Sequence, residues 1–195
     1  MSLEQRTAVP TTETNEILPA AEGAVTQLLD AFNAWEVGHT DKTPERAAKA
    51  WAHRLAGYSQ DPRHYLRKTF PAPDNTSLIV TRNIRIESTC AHHLLPITGT
   101  ARIAYRPQPG QKIVGLSKLN RLANGYARRL QVQEKLTHQI LHAIWDELNP
   151  QWVACAIEAK HGCMTIRGVE DSCTDTLTFD TLGTPADGDM TAFWR

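Results

Sequence analysis

The sequence predicts an α+β protein in which helices come first and a layer of strands and helices follows. Apolar and polar residues alternate in extended runs after Ser77, as in half-buried strands. Apolar residues recur at every fourth position from Val132 to Leu148, as in a helix. The predicted order is helices, two strands, two helices and two strands. Four antiparallel strands cannot bury both faces under two helices, so we expect other subunits to complete the layer.

Three regions are predicted along the chain: a mobile N-terminal arm (1–19), a helical region (20–76) and a sheet domain (77–195). The arm is rich in Thr, Glu and Pro and shows no hydrophobic period. An amphipathic helix is expected from Ala20 to about Trp35. A second helix starts at Thr43, where an N-cap residue is followed by a proline, and Gly57 is expected to end it.

In the sheet domain, four strands are predicted, at 77–87, 99–106, 152–158 and 174–181; the third of them is a continuous apolar run. A helix follows the second strand, with Ser117 as its expected N-cap. The longer helix from Val132 to Leu148 is stopped by Asn149 and Pro150.

The connection between the first two strands contains Cys90 and His93, a donor pair that suits Zn²⁺. Pro96 is expected to prevent further strand pairing there, so that ligands can leave the sheet plane. Two donors are too few, and Cys163 is the best third candidate. Three protein ligands leave a tetrahedral position for water, which is the catalytic arrangement of zinc. Two alternatives stay open: unrelated buried thiols, and a structural site with an unidentified fourth ligand.

Each half of this predicted site carries a second histidine. His92 precedes His93 directly, and His161 lies two residues before Cys163. Histidine titrates closest to neutral pH, so either free imidazole could act as a general acid or base beside a metal-bound water.

Composition argues against several classes of protein. The 195 residues carry 21 basic and 21 acidic side chains, so no general charge favours a nucleic acid or an anionic membrane as partner. No apolar run reaches the roughly 18 residues of a membrane span, and the first residues lack a signal-peptide layout. We therefore expect a cytoplasmic protein. The four cysteines are too few for a disulfide framework; Cys155 is expected in the core and Cys173 at the surface.

Three segments resemble the signature blocks of the GTP cyclohydrolase I family, in the family's order: STCAHHLLP, VGLSKLNRLANGYARRLQVQEKLT and EAKHGCMTIRGV. The segment TPERAAKAW near residue 43 resembles the family's N-terminal helical region. The resemblance covers about residues 43–169. It implies the tunnelling fold (T-fold), in which the sheets of several subunits close into a barrel and form a homodecamer of two pentameric rings. It also implies active sites at subunit interfaces and makes residues 77–195 the catalytic domain.

The resemblance implies a metal and an activity. Its zinc ligands would be Cys90, His93 and Cys163, and its acid–base pair would be His92 and His161. The implied reaction opens the guanine imidazole ring of GTP, releases formate and forms 7,8-dihydroneopterin triphosphate for pterin and tetrahydrofolate biosynthesis. Rearrangement of the ribose would be assisted by Ser117 or a histidine.

The resemblance also implies substrate contacts. The ribose and triphosphate would be held by Ser117, Lys118, Arg121 and Arg167. Guanine would be recognised by Glu134, with Gln133 beside it. A carboxylate can accept hydrogen bonds from both N1–H and the 2-amino group of guanine, which adenine cannot match. Without the motif, Glu134 would be read as a solvated helix charge.

The chain departs from the family pattern at two places. Ala91 stands where the family usually has Glu, and Glu170-Asp171 replace a basic link after Arg167. These departures favour one same-class alternative, a paralogue acting on a related purine nucleotide in a 7-deazapurine or specialised pterin route. A non-catalytic zinc-binding partner protein is the alternative from another class. A zinc deaminase is disfavoured because the H-x-E and P-C-x-x-C arrangement is missing.

Overall fold

The computed structural model describes residues 14–73 and 77–195. These residues form two compact units, one ending at Ser59 and the other beginning at Gln60. The boundary expected at residue 76 therefore differs from the division in the structure. The physical reason is that Leu66, which precedes the sheet in sequence, is buried in the main core of the second unit.

The α-helices of the described chain are α1 (Thr14–Ala31), α2 (Thr43–Arg54), α3 (Leu116–Ala127), α4 (Gln133–Leu148), α5 (Gly162–Thr165) and α6 (Asp189–Trp194). The strands are β1 (Thr69–Pro71), β2 (Ile79–Cys90), β3 (Pro96–Arg106), β4 (Lys112–Val114), β5 (Leu130–Gln131), β6 (Trp152–His161) and β7 (Thr176–Gly183). Short 3-10 helices lie at Ala56–Ser59 and Pro62–Leu66. This order confirms an α+β chain in which two α-helices precede the strands.

The first helix begins earlier than the sequence pattern predicted. Because α1 starts at Thr14, residues 14–19 of the expected mobile arm are helical, while residues 1–13 lie outside the described chain. Pro19 lies inside α1, near its N-terminal end, where the missing N–H removes a backbone hydrogen bond without ending the helix.

The ends of these first two helices are set by the backbone. α1 stops before Trp35 because Asn33 adopts a left-handed conformation, with φ of 48°. α2 carries Pro44 in its first turn, as expected, and its N-cap is Lys42. Gly57 lies in the 3-10 helix that follows α2.

The second unit is built on a five-stranded sheet of order β5-β2-β3-β6-β7. Its neighbouring strands are antiparallel except β2 and β5, which pair in parallel and place Cys90 opposite Gln131. The predicted four-stranded antiparallel sheet is therefore wrong in strand number and in one pairing. The two residues of β5 are too few to show an alternating pattern. β1 and β4 form a separate two-stranded sheet.

The long strands of the sheet bring their ends to the metal motif. β2 continues to Cys90, and β3 already begins at Pro96, which pairs with Thr89. Pro96 therefore starts a strand instead of preventing pairing, at a position that tolerates its missing N–H. β6 continues to His161, which lies opposite Ile97 of β3. The predicted ligands thus lie at the ends of paired strands.

α3 and α4 pack against one face of the sheet and bury the main core. Its largest fully buried side chains include Ile84, Ile86, Ile97, Ile103, Leu119, Leu122, Leu136 and Ile140. Complete burial of such a side chain is worth about 1.5–3 kcal/mol. The four-residue repeat of α4 is therefore the face that holds this helix on the sheet.

The C-terminal helix α6 was not predicted, because its six residues form less than two helical turns. It packs Phe193 edge-on against Trp152, with ring centroids 6.3 Å apart, and buries a second, smaller core. Arg106 donates two hydrogen bonds to the buried carboxylate of Asp189 at the start of this helix. Within the described residues, no helix combines the length and apolarity needed to cross a membrane.

Candidate metal centre and active site

The loop between β2 and β3 is a tight turn that presents the Cys90–His93 pair. Cys90 N–H donates to the carbonyl of Leu95 at 2.8 Å, and Leu94 N–H donates to the carbonyl of Cys90 at 2.9 Å. Leu94 adopts a left-handed conformation with φ of 57°. A bulky residue in that region costs of order 1–3 kcal/mol. The surrounding hydrogen bonds hold this unfavourable backbone in place, so the spacing of the two side chains is set by the loop.

The third candidate donor, the sulfur of Cys163, reaches the same place from the end of β6. Cys163 lies in the short helix α5, directly after Gly162. A Cβ on Gly162 would lie 3.1 Å from Pro96 Cδ and 3.2 Å from Leu95 Cβ. This close approach favours a residue without a side chain. Gly162 therefore lets α5 pack onto the loop that carries the other two ligands.

The donor atoms of Cys90, His93 and Cys163 all lie within 4.8 Å of one another. The Cys90 Sγ to His93 Nδ1 distance is 3.7 Å. Two sulfurs and one imidazole nitrogen are a donor set that suits Zn²⁺, and three protein donors leave one tetrahedral position open. Burial and the neighbouring Cys90 thiol raise the pKa of Cys163. A bound cation would favour the thiolate instead, so metal binding would release protons.

The histidine before Cys163 is held by the first residue of α4. His161 Nε2 lies 2.6 Å from Gln133 Oε1. The Gln133 amide nitrogen donates to the carbonyl oxygens of Ile157 and Thr176, each at 2.9 Å. Burial lowers the pKa of His161, and the charge of Glu134 opposes that effect. The arrangement keeps the ring of His161 partly buried and fixes its orientation against Gln133.

Comparison with known proteins agrees with the family resemblance of the sequence motifs. The family model for GTP cyclohydrolase I matches residues 21–192. The chain belongs to the GTP cyclohydrolase I family.

Relatives of this chain carry the name GTP cyclohydrolase 1. The protein of Desulforamulus reducens is 42% identical over 162 residues, covering 83% of this chain and 86% of its own. The Corynebacterium aurimucosum protein is 45% identical, with 81% of each chain covered. The Chlorobium phaeovibrioides protein is 49% identical over 137 residues, which are 70% of this chain and 60% of its own. The alignments with these three relatives each cover most of the present chain.

A structural comparison gives a weaker likeness. The crystal structure of the archaeosine synthase QueF-Like in the apo form has a TM-score of 0.44 and 15% identity, covering 59% of this chain and 99% of that chain.

The remaining imidazole and the cation next to the cluster lie at the protein surface. His92 is exposed, and its ring centroid is 6.2 Å from that of His93. Arg167 Nη1 lies 2.7 Å from His93 Nε2. Arg167 therefore lies beside the candidate ligands in this family member. The exposed Glu134 is near enough to His161 for its charge to act on the pKa of that ring.

The residues of α3 lie elsewhere in the second unit. The N-cap of α3 is Gly115, with ψ of 137°, so the prediction of Ser117 as N-cap is wrong. Ser117 is the second residue of the helix and is exposed. Among the residues that the structure describes, no hydrogen bond or ion pair links Ser117, Lys118 or Arg121 to the Cys-His-Cys cluster.

Arg121 instead opens onto a cavity of about 400 Å³. Two more arginines, Arg85 and Arg128, line the same cavity. Several guanidinium groups around one cavity would attract an anion. This surface of the family member is separate from the metal cluster in the single chain.

Residues at the two departures from the family pattern take part in local hydrogen bonds. Ala91 N–H donates to the carbonyl of Gln131 at 2.9 Å, so the backbone at this position connects the loop between β2 and β3 to β5. The Asp171 carboxylate accepts hydrogen bonds from Thr174, through its hydroxyl and backbone N–H, and from Cys173 N–H. These bonds lower the pKa of Asp171. Its carboxylate therefore caps its own loop after Arg167.

Sequence reasoning missed the polar network that supports His161. Thr137 of α4 donates to the Gln133 carbonyl at 3.1 Å, and its hydroxyl lies 2.7 Å from that of Thr178 in β7. A buried threonine in the first turns of α4 was the available signal, since a buried hydroxyl needs a hydrogen-bond partner. Its partner lies 41 residues away.

Proposed function

We propose that this chain is a Zn²⁺-dependent GTP cyclohydrolase I. It opens the guanine imidazole ring of GTP, releases formate and forms 7,8-dihydroneopterin triphosphate. The observation that carries the proposal is the convergence of Cys90, His93 and Cys163 within 4.8 Å, in a chain of this family. A structural zinc site would require a fourth protein ligand, and three donors suit a catalytic site better.

The metal would be held by Cys90, His93 and Cys163. When bound, Zn²⁺ lowers the pKa of a coordinated water from 15.7 to about 7 and so supplies hydroxide at neutral pH. The mixed sulfur and nitrogen donors fit this ion better than Mg²⁺ or Ca²⁺, which prefer oxygen.

His161 and His92 would donate and accept the protons of the reaction. Attack at C8 of the purine requires N7 to be protonated, and an imidazole near its neutral range can supply that proton. His161 is oriented by Gln133, while His92 is exposed and free to exchange protons with solvent. One histidine would therefore be held in a fixed position, and the other would connect the site with bulk water. Ser117 or a histidine would assist rearrangement of the ribose before the pterin ring closes.

Glu134 would select guanine. Its carboxylate lies in the first turn of α4, close enough to His161 to act on the pKa of that ring. Hydrogen bonds from N1–H and the 2-amino group of guanine would satisfy both carboxylate oxygens. Gln133, proposed from sequence as a neighbouring substrate contact, would serve chiefly by orienting His161, since its amide nitrogen donates to the protein's own carbonyls.

The ribose and triphosphate would be held by Ser117, Lys118, Arg121 and Arg167. Arg167 lies beside the metal cluster, whereas the α3 residues lie apart from it within one chain. This separation supports a site assembled from two subunits, in a homodecamer of two pentameric rings closed by T-fold barrels. β5 and β7 are the edge strands of the described sheet and could pair with neighbouring subunits.

The proposed setting is cytoplasmic. All four cysteines are free thiols, which agrees with a reducing compartment. The zero formal net charge gives no general electrostatic attraction to a nucleic acid or an anionic membrane, and we propose neither as partner.

The proposal is tested by incubating the zinc-loaded protein with GTP and measuring formate together with the absorbance of a pterin product. We expect equal amounts of both. Cys163→Ser should abolish both products, while the exposed Cys173→Ser variant serves as a matched control. Release of formate only from another purine nucleotide would identify a paralogue, and no turnover by fully zinc-loaded oligomer would reject the enzymatic proposal.

A further inference from the structure

Two histidines outside the candidate active site lie next to each other on α4. His138 and His142 are four residues apart, so they project from the same face of the helix. Their ring centroids are 3.9 Å apart, with a tilt of 41° between the rings. Two imidazoles on successive turns are a known geometry for holding one metal ion, because a nitrogen of each ring can reach the same point.

A carboxylate from the neighbouring strand completes the group. Asp180 Oδ2 lies 3.7 Å from His138 Nδ1. Its other oxygen, Oδ1, accepts the backbone N–H of Thr181 at 2.8 Å. Asp180 is therefore held on β7 with one oxygen directed towards the imidazole. Metal-binding histidines commonly direct their second ring nitrogen towards such a carboxylate.

The carboxylate also favours one nitrogen of His138 as the metal ligand, although 3.7 Å is longer than a hydrogen bond. An ionised carboxylate is only an acceptor, so it favours the tautomer of His138 with the proton on Nδ1. Nε2 then keeps its lone pair. The side chains of His138 and Asp180 are 60% and 45% exposed, so an ion and its remaining water ligands can reach this surface.

We propose that His138 and His142 form a second metal site, on the surface of α4, for a divalent transition metal such as Zn²⁺ or Ni²⁺. Asp180 orients His138 and adds negative charge. Imidazole nitrogen with carboxylate oxygen suits ions of this class, whereas Mg²⁺ prefers oxygen alone. This site differs from the Cys-His-Cys cluster in having no sulfur donor. It does not depend on the proposed reaction.

The test is a calorimetric titration of Ni²⁺ into the untagged protein loaded with one zinc per chain, with zinc content measured before and after. We expect about one additional equivalent of Ni²⁺ per chain to bind without displacing zinc. The double variant His138→Ala/His142→Ala should lose that equivalent and keep its zinc. Asp180→Asn should weaken Ni²⁺ binding about tenfold, as expected for a residue that orients a ligand. His53→Ala is the matched control, since His53 is an exposed helical histidine with Lys49 and Gly57 four residues away.

Undiminished Ni²⁺ binding by the double variant would overturn the proposal. So would a loss of binding in His53→Ala equal to that in the double variant. If the double variant does not fold, the single variant His142→Gln tests the proposal. Removing one of two imidazole ligands should still lower Ni²⁺ affinity at least tenfold. Unchanged Ni²⁺ affinity in that single variant would also overturn the proposal.

Discussion

Oε1 of Gln133 lies 2.6 Å from Nε2 of His161, and this distance defines the protonation pattern of the histidine. The Gln133 amide nitrogen donates to the Ile157 and Thr176 carbonyls, so the amide oxygen must be the atom that faces the ring. An amide oxygen only accepts hydrogen bonds. His161 therefore carries its proton on Nε2, and in the neutral ring Nδ1 is the nitrogen with a free lone pair.

Gln133→Leu should lower kcat for GTP at least tenfold while changing KM by less than about threefold. The reason is that the variant keeps the residues proposed to bind substrate but no longer orients a general acid–base group, which contributes about 10²–10⁴-fold to rate. Thr137→Val is the matched control, because it removes a hydroxyl from the same buried network without touching His161. Steady-state kinetics of both variants, with zinc content, check this. Equal losses of kcat in the two variants would show that Gln133 acts only through general stability.

Cys90→Ser and Cys163→Ser should each lose nearly all tightly bound zinc, because serine is a poor ligand in place of a thiolate. His92→Ala should keep its zinc and lose about 10²–10⁴-fold in kcat. The exposed Cys173 provides the control variant, Cys173→Ser, which should resemble the parent protein. Metal analysis after dialysis measures the zinc content of each variant. A full equivalent of zinc in Cys163→Ser would remove Cys163 from the ligand set.

Glu134→Ala should reduce kcat/KM for GTP by the equivalent of about 2–5 kcal/mol, since it removes one partner of a charged hydrogen-bond pair. The loss should be smaller for inosine triphosphate, which lacks the 2-amino group. Glu147→Ala removes another carboxylate from α4 and should leave both values unchanged. If GTP and inosine triphosphate are affected equally, Glu134 does not read the 2-amino group.

Mixing two inactive variants tests whether the active site is shared between subunits. Cys163→Ser and Arg121→Ala should each be inactive alone, yet subunits exchanged between them should regain activity. With random exchange across a heterologous interface, about one quarter of the sites would contain both intact halves. Sedimentation of the same samples reports the size of the oligomer. Failure to regain activity in demonstrably mixed oligomers would place both residues in sites formed within one chain.

The Arg106–Asp189 pair should make stability depend on acid pH. Hydrogen bonds from Arg106 lower the pKa of Asp189 against the opposing effect of burial. A carboxyl group with a lowered folded-state pKa stabilises the fold above its unfolded value of about 3.9, and this contribution is lost as pH falls through the folded pKa. Asp189→Asn should therefore flatten the decline of unfolding free energy below about pH 4.

At neutral pH, Asp189→Asn should cost about 3 kcal/mol in the free energy of unfolding, because it leaves the Arg106 charge poorly compensated. Urea unfolding measures this cost. The matched control is Glu87→Gln, which breaks the pair between Arg85 and Glu87, whose side chains are 82% and 48% exposed. An exposed pair contributes at most about 1 kcal/mol. Similar costs in the two variants would contradict the structural role assigned to the buried pair.

Local patterns in the sequence were sufficient for several features. The apolar repeat of α4, the alternation in β3 and β7 and the apolar runs of β2 and β6 predicted these elements, because such patterns are visible within a short segment. The triad of Cys90, His93 and Cys163 could also be proposed from donor chemistry, and the structure brings its donor atoms together. Such features depend on residue type and near-neighbour spacing.

Only the tertiary structure decided which distant groups meet. The pairing of β5 with β2 sets the metal loop beside the start of α4, although β5 is too short to have a recognisable pattern. The hydrogen bond of Gln133 to Thr176 joins residues 43 positions apart. A buried amide must find a partner, but its residue type does not say which one, because that choice depends on how helix and sheet pack. The sequence by itself therefore determined the chemical groups of the site, and packing decided how they are oriented.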